Sequence, residues 1–95
     1  MPIYFPPPEP WVKRGWNVKI AEKECLEPPH VTISNKGRLW RWNLRSQRFM
    51  DKKPPPGDVP PEVVAHIQDQ LLEIVRRWDA YYPLNPVARP EDDDE

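Results

Sequence analysis

From Glu27 to Leu44 the chain reads EPPHVTIS, NKG, RLWRWNL, and its period of two constrains the fold more than any other feature. On an extended strand Trp40, Trp42 and Leu44 point to one side, and Arg41, Asn43 and Arg45 to the other. A strand with one apolar and one basic face needs a second layer over the apolar side. Val31 and Ile33 alternate in the same way with His30, Thr32 and Ser34. Between the two runs, Asn35-Lys36-Gly37 predicts a three-residue hairpin loop with Gly37 in the left-handed conformation. Pro28 and Pro29 fix the chain direction into His30, and Glu27 before them is pushed to an extended conformation. Upstream, Trp16, Val18 and Ile20 alternate with Asn17, Lys19 and Ala21. This predicts a further strand, with Gly15 permitting the turn ahead of it.

The covering layer is read from the C-terminal half. Val63, Val64, Ile67, Leu71, Ile74, Val75, Trp78, Tyr81 and Tyr82 fall on one face at 3.6-residue spacing. Pro60 and Pro61 suit a first helical turn, and Pro83 stops the helix. About 23 residues at ~1.5 Å each predict a single rod of roughly 34 Å, long enough to cross the sheet. The expected fold is therefore α+β: a three-stranded antiparallel meander packed against one long C-terminal helix. Phe49 and Met50 are candidates for a short fourth strand or a plug at the core edge. Residues 1–10 are expected as a Pro-rich, extended N-terminal arm, with Tyr4 and Phe5 as possible anchors. Residues 11–83 form the single domain, and 84–95 form an acidic tail.

Composition supports an ordered domain of this size. The 95 residues include five Trp, whose large area offsets a thin core, while the 15 Pro cluster between the periodic runs. The net charge of −1 conceals a polarity. Residues 13–53 hold eleven Lys/Arg against four Asp/Glu, and residues 54–95 hold three against ten. Half of those ten acids form the terminal EDDDE. Such a run reads first as a solvated tail, and second as a segment that competes for the basic face with an anionic ligand. No apolar run approaches the ~20 residues of a membrane span, and MPIYFPPPEP lacks a signal-peptide pattern. The expected location is the cytoplasm, with no membrane partner. A single cysteine, Cys25, excludes an intramolecular disulfide.

The chemistry-bearing residues gather on the polar side of the sheet. Lys19, His30, Thr32, Arg41, Asn43 and Arg45 are the expected binding residues, with Asn17 and Ser34 beside them and Lys36, Arg48, Lys52 and Lys53 flanking. A flat basic surface tracks phosphates without reading sequence, while RNA readers usually add exposed aromatics for stacking. The register buries Trp40 and Trp42, and a slip of one residue would turn both outward. His30 is the one candidate general base; its structural alternative is a hydrogen bond to a loop carbonyl. Cys25, Glu27 and His30 lie within six residues of one another but match no zinc spacing, so no metal and no cofactor is expected. No Ser–His–Asp pattern, phosphate loop or zinc signature points to an enzyme. The expected function is a non-enzymatic interaction module, with a protein partner first and nucleic acid second. The alternative is an RNA-directed, toxin-type ribonuclease using His30 with Arg41 or Lys19.

The stretches GWNVKIAE, EPPHVTI, GRLWRWNL and RRWDAYY resemble a family of small bacterial proteins. That family is catalogued as a domain of unknown function with the hallmark E-P-P-H-V-H-V. The likeness runs from about Gly15 to Tyr82; EPPHV is its specific part, and the remainder matches by pattern. It implies an aromatic strand before the hallmark, a Trp-containing strand after it and a C-terminal helix with late Trp and Tyr. It also implies a paired, toxin–antitoxin-like arrangement with another small protein. Thr32 stands where the family has its second histidine, which removes any role needing two alternate histidines.

Overall fold

The computed structural model describes residues 2–21 and 28–87. Its sheet has four antiparallel strands in the order β1 (Ile3–Tyr4), β2 (Asn17–Ile20), β3 (His30–Asn35) and β4 (Arg38–Asn43). Two helices follow, α1 (Pro61–Asp69) and α2 (Leu71–Tyr81). The α+β class and the antiparallel meander are as the alternation predicts. Three details differ.

The first is the N-terminal segment, expected as an arm. Ile3 pairs with Ile20 and Tyr4 with Lys19, and the Phe5 amide donates to Val18 O at 2.8 Å. This segment is the fourth strand. Ile3 and Phe5 pack against the core, which holds so short a strand in place. Pro6, Pro7 and Pro8 follow and cannot donate to a ladder, so β1 stops there. Phe49 and Met50 do not form a strand. Phe49 makes one isolated bridge to Trp42, and the Met50 amide donates to Arg41 O at 2.8 Å.

The second is the hairpin. Asn35 pairs directly with Arg38, which leaves Lys36 and Gly37 as a two-residue turn. Both have positive φ, 50° and 85°, as in the type I′ turn whose twist matches that of its strands. The loop is therefore one residue shorter than predicted, because Asn35 is drawn into the ladder.

The third is the helix, which breaks at Gln70 (φ −97°, ψ 13°) into two segments. No proline or glycine lies at the break. Gln68, Asp69 and Gln70 are all exposed, so no packing holds that turn straight. Val63 and Ile67 before the bend and Ile74 and Trp78 after it are all fully buried. Both halves therefore turn buried residues to the core despite the bend.

Between the layers lie Trp16, Val18, Ile20, Val31, Ile33, Trp40, Trp42 and Leu44 from the sheet side. Trp40 and Trp42 are 0% and 1% exposed, so the register is the one that puts both indoles in the core. Trp40 Nε1 donates to Pro55 O at 3.0 Å, and from the helical layer Trp78 Nε1 donates to Asn85 O at 2.7 Å. Packing continues past the predicted boundary at Pro83. Val87 is buried, and its amide donates to Asp79 Oδ1 at 2.9 Å. No helix among the described residues is long and apolar enough to cross a membrane.

Candidate binding site

The strand pairings place Tyr4, Lys19, Thr32 and Arg41 in one row across the polar side of all four strands. The next row toward the hairpin holds Asn17, Ser34 and Leu39. This much follows the alternation. The expected open basic surface, however, needs correction.

Thr32 is 7% exposed and His30 only 1%. Thr32 is short and lies between the longer Lys19 and Arg41 on its neighbouring strands. His30 Nδ1 is 2.9 Å from Pro28 O, and its ring stands 5.9 Å from the Trp78 ring. The Pro-Pro lead-in thus delivers the imidazole into packing and not to solvent. Arg41 donates from Nε and Nη2 to the two oxygens of Asp51, at 2.9 and 2.6 Å. Hydrogen bonding from Arg41 holds the Asp51 carboxyl below its ordinary value, with the guanidinium charge adding to it against the opposing effect of burial. Arg45 donates to Val87 O and Pro86 O, both at 2.7 Å, and so straps the segment after α2 to the sheet. Asn43 Oδ1 accepts the amides of Arg45 and Ser46 at 2.7 and 2.9 Å, an Asx turn that ends β4. Of the six expected binding residues, Lys19 keeps a cation that no carboxylate among the described residues engages.

The larger concave feature lies at the hairpin end. The run WVKRGW turns through a single 3₁₀ turn at Val12–Arg14, closed by Gly15 in the left-handed conformation (φ 91°). The Trp16 amide returns to Trp11 O at 3.1 Å, so the two tryptophans bracket two cations in a tight loop. Asn35 is 5% exposed and donates from Nδ2 to Arg14 O at 3.1 Å, which fastens this loop to the hairpin. A side chain at Gly15 would meet Asn35 Nδ2 at 3.4 Å and Lys36 Cγ at 3.8 Å, so the Lys36 stem lies across the glycine. The result is a cleft of about 530 Å³ walled by Trp11, Trp16, Lys13, Arg14 and Lys36, with Gly15 and Asn35 between them.

Its electrostatics are one-sided. Lys13 pairs with Glu9 at 3.1 Å, but both side chains are largely in solvent, where such a pair contributes little. No carboxylate among the described residues pairs with Arg14 or Lys36. The Arg14 guanidinium stands over the Trp11 ring, 5.3 Å from its centroid, held by the attraction between a cation and the ring face. Trp16 stacks on Trp40 at 5.4 Å and 28°, which makes its side of the wall part of the core. A second, apolar hollow of about 230 Å³ lies at the helix end, between Tyr81 and Asn85.

Among the described residues, no three His, Cys, Asp or Glu side chains come together as metal ligands. Cys25 and Glu27 of the weighed ligand set, and the acidic tail Glu91–Glu95, lie outside the described residues. The cleft was not legible as a site from the alternation, since it joins the Trp11–Trp16 loop, which precedes β2, to Asn35 and Lys36 at the hairpin. The signal available was the string WVKRGW itself, with two aromatics around two adjacent cations. Comparison with protein-family models, curated proteins and solved structures finds no match.

Proposed function

We propose that this protein is a non-enzymatic interaction module that engages an anionic partner through the hairpin-end cleft and the strip of sheet face around Lys19. One observation carries the reading: Arg14 and Lys36 line a tryptophan-walled cleft, and no carboxylate among the described residues pairs with either. Cations left uncompensated in a concavity raise the local concentration of anions and bind them in a salt-dependent way. The ribonuclease alternative is weaker, because its only candidate base, His30, is 1% exposed and aimed into packing. A paired-system role, as the likeness of EPPHV to the E-P-P-H-V-H-V proteins implies, fits the same surface if the partner is acidic.

The test is a titration with a polyanion, polyphosphate, at low and high salt, with the double variant Arg14→Ala/Lys36→Ala as control. Binding at low salt that weakens with salt and falls at least tenfold in the double variant is the expected result. Equal binding by the double variant moves the site elsewhere, and no binding at low salt removes the reading.

A further inference from the structure

We infer that the anion taken by this cleft is single-stranded nucleic acid, with a base seated on the Trp11–Arg14 pair. This rests on the anionic-partner reading and narrows it. A cleft for carboxylates or free phosphates needs cations alone. Here the cation is coupled to a ring: Arg14 stands over Trp11 at 5.3 Å and its side chain is exposed. Single-stranded bases stack on aromatic rings and on guanidinium planes alike, and duplex bases are not available for this. Trp11 anchors the guanidinium from below, which reduces the freedom a lone surface arginine would lose on binding. Lys13 and Lys36 line the same cleft and are placed for the phosphates on either side of the stacked base.

A second aromatic–cation pair continues the track. Tyr4 is 52% exposed and sits directly across from Lys19 on the polar side of the sheet. Three residues, Trp16, Asn17 and Val18, separate Gly15 at the cleft from Lys19, a span of about 13 Å when extended at ~3.3 Å per residue. The two platforms are thus far enough apart for different nucleotides of one strand. The buried register of Trp40 and Trp42 removes the stacking surface expected of an RNA reader, and Trp11 and Tyr4 replace it from outside the hairpin.

The experiment is fluorescence anisotropy of labelled eight-nucleotide oligo(dT) and oligo(U). The comparators are an abasic oligodeoxynucleotide of equal length, an eight-residue polyglutamate and polyphosphate. Stacking predicts that the base-bearing strands bind about tenfold tighter than the abasic one. Tyr4→Ala, at an exposed site whose strand is held by backbone bonds, is expected to shrink that gap several-fold. A preference for oligo(U) over oligo(dT) assigns the 2′-hydroxyl a contact; equal affinity assigns the site to single strands generally. If the abasic strand or polyglutamate binds as tightly as the oligonucleotides, bases play no part and the inference falls while the anionic-partner reading stands. If nothing binds at low salt, both fall.

Discussion

At the scale of single residues, the polar face of the sheet shows how neighbours decide what a side chain can do. His30 reads as a surface histidine by parity, yet its ring is enclosed and one nitrogen faces Pro28 O at 2.9 Å. Its role is packing, so His30→Ala is expected to lower unfolding stability by on the order of 2 kcal/mol in urea denaturation. Oligonucleotide affinity should be unchanged. A loss of binding without loss of stability would return His30 to the site. Arg41 is likewise committed, to Asp51. Asp51 has a folded-state pKa lowered chiefly by that hydrogen bond. Its stabilisation is therefore fully present above the unfolded carboxylate value, roughly pH 4, and is lost as pH falls through the lower folded value. Arg41→Ala removes it, at a cost of about 1 kcal/mol for a partly exposed pair. Denaturation midpoints of the variant and the parent are expected to differ at pH 6 and to converge as pH falls below the carboxylate range.

At the scale of elements, the hairpin and the edge strand carry separable contributions. Gly37 has φ 85° and open space around its missing Cβ. Gly37→Ala therefore meets a backbone penalty alone, about 1–2 kcal/mol, readable as a lower thermal midpoint without change in binding. The strand β1 covers the edge of β2, and Ile3 and Phe5 pack on the core. Removing residues 1–5 is expected to lower stability and expose the β2 edge to pairing between molecules. Sedimentation velocity checks this: a shortened chain that stays as monomeric as the parent would show the edge to be protected by other means. The helical layer was legible as an apolar stripe because each residue's face follows from its place in a 3.6-residue period. The break at Gln70 was not, because no helix-breaking residue marks it.

At the scale of the whole molecule, charge is separated along the chain and then sorted by folding. Arg41, Arg45 and Arg38 of the basic segment find acceptors, Arg38 on Asp58 at 3.1 Å. Among the described residues no carboxylate pairs with Arg14, Lys36 or Lys19; Arg14 and Lys36 line the cleft and Lys19 lies on the sheet face. Three phosphate contacts, from Lys13, Lys36 and Lys19, at ~0.7 each predict a slope of log affinity against log salt of about −2 for a single strand. Lys36→Ala or Lys19→Ala is expected to reduce the magnitude of that slope by about 0.7. A slope near zero in the parent would mean that binding, if seen, does not involve these cations.

By itself the sequence determined which residues are apolar at period two and period 3.6. That was enough for the α+β class, the meander, the inward Trp40 and Trp42 and the helical stripe. These are local properties, since the direction of a side chain along a strand or helix is set by its neighbours in the chain. Only the tertiary structure decided which cations remain available. Arg41 is neutralised by a residue ten positions away, and Arg45 is bound by a carbonyl 42 positions away. The cleft is made only where the Trp11–Trp16 loop meets the hairpin turn, joined through Asn35 and Arg14 across 21 positions. Pairing of charges and closure of a cleft depend on distances in space, and no period in the chain encodes them.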